Sequence, residues 1–129
     1  MKLRLLDNSI RLRLTRKEVE LAATGGIVKS SVSFPDNATF TYILESSPAN
    51  VSATATFSAG DLIVRLPESE VLEWASSDRV SITGEQLLAS GESLRILVEK
   101  DFACLAPREG EDESDMYPHP DARSSQEQC

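Results

Sequence analysis

Two cysteines in 129 residues, Cys104 and Cys129, leave this chain without a disulfide framework, and a reduced pair is the expected state. Neither belongs to a Cys-x-x-Cys pair, so a thioredoxin-type redox site has no support. One histidine, His119, is too few to build a Ser-His-Asp or Cys-His centre without distant partners, and no nucleophile-elbow sequence occurs. Gly25, Gly26 and Gly84 stand without the companions that a phosphate loop or a dinucleotide fingerprint requires. Catalysis is therefore the minority expectation, behind binding. Aromatics are only 5% of the chain, so the core must come from Leu, Ile, Val and Ala. No run approaches the roughly 18 apolar residues of a membrane span. The basic start, Met1 to Leu6, leads into Arg11 and Arg13 and not into a long apolar stretch, so no secretory leader and a cytoplasmic location are expected.

The formal net charge of −8 conceals an asymmetry. From Met1 to Phe34, seven basic residues stand against Asp7, Glu18 and Glu20; from Glu99 to Cys129, nine acids stand against three bases. Such a division concerns partners and self-association, not fold. The acidic end argues against binding to duplex nucleic acid, which depends on uncompensated Lys and Arg opposite phosphates.

A stretch of about fifteen residues occurs twice. Ile10 to Thr24 lies over Leu62 to Ser76, with Arg13 over Arg65, Leu14 over Leu66, Glu18 over Glu70, Val19 over Val71 and Ala23 over Ala75. Phe40 to Glu45 falls over Leu94 to Glu99 after a two-residue shift. Alternating apolar residues mark strands at Phe40, Tyr42 and Leu44, at Leu62, Val64 and Leu66, and at Leu94, Ile96 and Val98. Val51, Ala53, Ala55 and Phe57 read as an extra strand closing the first half.

Thr15 followed by Glu18 is a capping box, and Val19, Ala22 and Ala23 share one helical face before Gly25 and Gly26 end the helix. Pro67 fits a helical first turn, with Val71, Trp74 and Ala75 as the buried stripe. The expected fold is one α+β domain over residues 1–105, in halves 1–59 and 60–105. Each half carries a duplicated β-α-β-β unit, and the antiparallel sheet curls into a half-open or closed barrel with two short helices. Residues 106–129 form an acidic C-terminal segment, whose last residues are expected to be disordered.

The strand cations are phased. Lys2 and Arg4 oppose Leu3 and Leu5, Arg11 and Arg13 oppose the flanking leucines, and Arg65 and Arg95 hold matching phases in the second half. Six cations on one sheet surface, with Glu45 and Glu99 among them, would suit phosphate or carboxylate ligands, because guanidinium forks match those anions. The alternative is the wet face of an ordinary antiparallel sheet.

The duplicated unit resembles the CYTH-like tunnel proteins, which include triphosphate hydrolases and class IV adenylyl cyclases. That resemblance implies a strand-walled channel lined with charge. The diagnostic Glu-x-Glu-x-Lys strand is replaced by Lys2-Leu-Arg-Leu-Leu, so metal-assisted phosphoryl chemistry is not implied and no catalytic residue is carried over. Asn8 to Thr15, Leu94 to Leu105 and Pro107 to Asp115 resemble a small family of uncharacterised bacterial proteins, known only as a domain of unknown function. It brings no activity. It does imply that the segment after Cys104 belongs to the protein proper.

Cys104, Glu111, Asp112, Asp115 and His119 supply thiolate, carboxylate and imidazole donors, a set suited to a divalent metal. Their spacing matches neither an EF-hand nor a named zinc motif. Three functional classes follow. The leading one is a small binding or accessory protein whose face of Lys2, Arg4, Arg11, Arg13, Arg65 and Arg95 holds an anionic small molecule or an acidic protein segment. The second is a metal-binding protein using the C-terminal donors. The third is a structural interaction module paired through strand edges. Oligomeric state is left open by the sequence.

Overall fold

The structure, a computed structural model, describes residues 1–102. The chain runs β1 (Lys2–Leu6), β2 (Ser9–Leu14), α1 (Arg16–Ala23), β3 (Val28–Ser33), β4 (Thr39–Ser47), β5 (Thr54–Ser58), β6 (Asp61–Pro67), α2 (Glu68–Ser76), β7 (Ser81–Leu87) and β8 (Ser93–Lys100). A 3-10 turn at Pro35–Asn37 links β3 to β4. No described helix is long and apolar enough to cross a membrane.

The strands form two four-stranded sheets, ordered β1-β2-β8-β7 and β3-β4-β6-β5. This corrects the expectation of one antiparallel sheet curled into a barrel. Each sheet is mixed, because β2 pairs β8 and β4 pairs β6 in parallel while the outer pairs are antiparallel. Closure needs the last strand to return to the first. Here each helix carries the chain out of one sheet and into the other: α1 leads from β2 to β3, and α2 from β6 to β7. Neither sheet closes, so the channel implied by the CYTH-like resemblance is not formed among the described residues. The strand expected at Val51, Ala53, Ala55 and Phe57 is observed only over Thr54–Ser58, which pairs antiparallel with β6.

The pairing registers correspond in detail. Leu3 faces Leu12 in β1-β2, and 52 positions later Ala55 faces Val64 in β5-β6. Val28 faces Leu44, and 54 positions later Ile82 faces Val98. The parallel pair Ser9 and Arg95 is matched by Asp61 and Thr41. Apart from the strand-end positions Ser47, Pro67 and Ser81, each paired position on one sheet therefore has a register equivalent on the other.

Alternation buries Ile10, Leu12 and Leu14 from β2 and Leu62, Val64 and Leu66 from β6 in one cluster, together with Ile96 and Val98. Val19 and Ala22 of α1 and Val71 and Trp74 of α2 join it, so each short helix is held by the face it buries. Trp74 is fully buried, and its Nε1 donates to the Val80 carbonyl at 2.9 Å, which satisfies the ring's one donor. Truncating such a side chain to alanine costs about 3–5 kcal/mol.

Helix α1 begins as its sequence requires. Thr15 Oγ1 accepts from the Glu18 amide at 3.3 Å, and Glu18 Oε1 accepts from the Thr15 amide at 2.9 Å. It ends in a Schellman motif, with Gly26 N donating to Leu21 O at 2.9 Å and Gly25 N to Ala22 O at 3.2 Å. Gly25 has φ +87°, the left-handed conformation that this ending demands. Edge strands β5 and β7 adjoin: Gln86 Oε1 accepts from the Ala55 amide at 3.0 Å, occupying a donor that an open edge would expose.

Candidate functional site

The register orders the outward side chains of the first sheet into rows. One row reads Lys2, Arg13, Glu99 and Ser81 from β1 to β7; the next reads Arg4, Arg11, Leu97 and Thr83; the third reads Leu6, Ser9, Arg95 and Glu85. Five of the six expected cations thus share this surface. Arg65 does not, for it lies in β6 of the second sheet. The shared phase of Arg65 and Arg13 within their strands was real, but phase says only which face of a strand a residue takes and not which sheet the strand joins.

Glu99 ties two of the arginines together. Its Oε1 accepts from Arg11 Nε at 3.0 Å and Nη2 at 2.7 Å, and from Arg13 Nε at 2.8 Å. Lys2 Nζ lies 3.1 Å from Asp101 Oδ2 at the same margin. No hydrogen bond or ion pair among the described residues engages the Arg95 guanidinium, which is exposed beside its cross-strand neighbour Glu85. On the other sheet Arg65 Nε donates to Glu45 Oε2 at 2.6 Å, the register equivalent of Arg13 with Glu99.

Beyond that shared pair the two outer faces diverge. Where the first sheet carries Lys2, Arg4, Arg11 and Arg95, the second carries Thr54, Thr56, Ile63 and Thr41. Thr41 is nearly buried at 8% exposure, whereas Arg95 projects into solvent. A sheet of this architecture can therefore present a threonine and isoleucine surface. The arginines of the first sheet are not a requirement of the fold.

Arg4, Arg11 and Arg95 surround a depression of about 430 Å³, within the size range of small-molecule sites. Ser9 sits between them with a short side chain, and its Oγ donates to the Leu6 carbonyl at 2.6 Å, so the hydroxyl lies down and leaves the space open. Leu6 and Leu97 flank the depression. The sequence reading missed both. Their signal was a break in alternation, since Leu6 and Leu97 are apolar residues at the phase otherwise taken by Arg4, Arg95 and Glu99.

A second cavity, of about 400 Å³, lies between the start of α1 and the end of β8, where Arg16, Glu20, Lys100 and Asp101 mix both charge signs. It offers no surplus of either charge to a ligand.

At the start of α1, burial works to raise the Glu18 carboxyl pKa, but the Met1 amine 2.6 Å from Oε2 and the bonds with Thr15 outweigh it, holding it below its ordinary value. The Arg79 guanidinium is raised by its hydrogen bond to Glu70, reinforced by Glu73. Both are structural pairs outside the arginine depression. Among the described residues no group of three His, Cys, Asp or Glu side chains is placed to hold a metal ion. Cys104, Glu111, Asp112, Asp115 and His119 lie outside the described residues, as does the expected boundary at 105 and the acidic segment after it.

A model for a family of unknown function, DUF7009, matches residues 1–121. The chain belongs to that family. The matched range takes in both sheets, both helices and the acidic run through Asp115. No curated protein and no solved structure matches the chain.

Proposed function

We propose that this protein is a small binding or accessory protein whose first sheet holds an anionic ligand, through a phosphate or carboxylate group, on its outer face. The observation that carries this reading is the contrast between register-equivalent surfaces: Lys2, Arg4, Arg11 and Arg95 on one sheet against Thr54, Thr56, Ile63 and Thr41 on the other. The ordinary wet face of a sheet accounts for polar residues on both surfaces but not for a concentration of guanidinium on one. Arginine forks are suited to planar or tetrahedral oxyanions. In the same reading the two halves are copies of one unit, now strand-strand-helix-strand-strand, of which one outer face carries several arginines while the other carries a single arginine, Arg65, paired with Glu45.

Isothermal titration of the full chain with inorganic phosphate and with benzoate tests the proposal. The double variant Arg11→Gln, Arg95→Gln should lose binding, and Arg65→Gln, on the other sheet, should retain it. Equal losses in the two variants, unaltered binding in the double variant, or no binding by the unsubstituted chain would each refute the reading.

A further inference from the structure

We infer that the ligand of the arginine depression has two parts, a phosphate head and an apolar or aromatic body of fragment size. This rests on the anion-binding reading and specifies the class of anion.

The head position follows from the lattice of the sheet. Arg11 and Arg95 stand on neighbouring strands one row apart, and Arg4 faces Arg11 across β1 and β2. With strands about 4.8 Å apart, an oxyanion placed over Ser9 comes within reach of three long guanidinium side chains. Arg11 already shares its charge with Glu99, while Arg95 is uncommitted among the described residues. Guanidinium forks on neighbouring strands each pair two oxygens, and a phosphomonoester, with three terminal oxygens and about two negative charges near neutral pH, offers more such pairs than a carboxylate with two oxygens.

The body position follows from the two leucines. Leu6 is 56% exposed although it belongs to a strand whose outward neighbour is Arg4, and Leu97 faces Arg11 across β2 and β8. Inorganic phosphate would leave both in water. The register equivalents on the second sheet are Ser58 and Ile43, and the equivalent of Ser9 is Asp61, whose carboxylate would repel an anion at that place. Apolar flanks and a cationic rim therefore coincide on the first sheet alone, and an apolar body lying on Leu6 and Leu97 removes surface from water at both.

The test compares inorganic phosphate, phenyl phosphate and phenol on the full chain by titration, with amide chemical shifts locating each ligand. Phenyl phosphate should bind about ten-fold or more tightly than inorganic phosphate, as burial of a ring face implies. The variant Leu6→Ser, Leu97→Ser should abolish that advantage and leave the affinity for inorganic phosphate unchanged. Shifts in the unsubstituted chain should centre on Leu6, Ser9, Arg95 and Leu97, a readout independent of how the variants fold. Equal affinities for the two phosphates, with binding still lost in Arg11→Gln, Arg95→Gln, would overturn the two-part ligand and leave the anion site standing. Phenol binding as tightly as phenyl phosphate, or no phosphate binding at all, would overturn both.

Discussion

Arg13 Nε donates to Glu99 Oε1 at 2.8 Å, and the same oxygen also accepts from Arg11, so one carboxylate is shared by arginines of two adjacent rows, one of which lines the depression. Its side chain is only 14% exposed, which lessens the screening that makes most surface ion pairs weak.

Neutralising that carboxylate should release positive potential toward the ligand. Glu99→Gln is expected to raise affinity for inorganic phosphate by roughly three- to ten-fold at low salt, the size expected of one charge at such separations in a surface environment. The gain should shrink at high ionic strength. Titration at two salt concentrations checks this, and an affinity indifferent to the substitution at both would detach Glu99 from the site.

Acid should weaken the start of α1. Glu18 is held below its ordinary value of 4.5, so just under that pH the folded chain binds fewer protons than the unfolded chain, and stability rises with pH. The contribution is complete above 4.5 and is lost as pH falls through the lower folded-state value. Glu18→Gln should therefore melt below the unsubstituted protein at pH 7, and the two melting temperatures should converge as pH drops beneath 4.5. A gap that stays constant with pH would assign the loss to the cap's geometry and not to its charge.

The meeting of β5 and β7 has a steric requirement. A Cβ on Gly84 would stand 2.7 Å from the Ala53 Cβ, closer than side-chain carbons approach, and 3.3 Å from Ala53 backbone atoms. Gly84→Ala should cost about 1–3 kcal/mol, as overpacking does. Adding Ala53→Gly should recover part of that loss, because it removes the nearer clash. Chemical denaturation of the two single variants and the double variant gives the coupling directly, and additive losses would show that the edges relax apart instead of colliding.

The local elements were legible because their signals are local. Thr15 with Glu18 declared the start of α1, Gly25 and Gly26 its end, and the leucines of β2 and β6 declared both strands and their buried faces. The cations of the first sheet were legible for the same reason, since period two assigns a side. Leu6 and Leu97 were obscured by runs of adjacent apolar residues, in which alternation loses its phase.

Which strands meet was a different matter. The sequence by itself determined the positions of strands and helices, the residues each would bury, and an excess of cations at one phase of β1 and β2. Only the tertiary structure decided that β2 pairs β8 and β4 pairs β6 in parallel, that two sheets form instead of one barrel, and that Arg65 stands apart from Arg13. The physical reason is that a residue's phase is fixed by bonds to its own neighbours, whereas strand partnership is fixed by burying both helices and two apolar sheet faces in one core, a condition that depends on the whole chain at once.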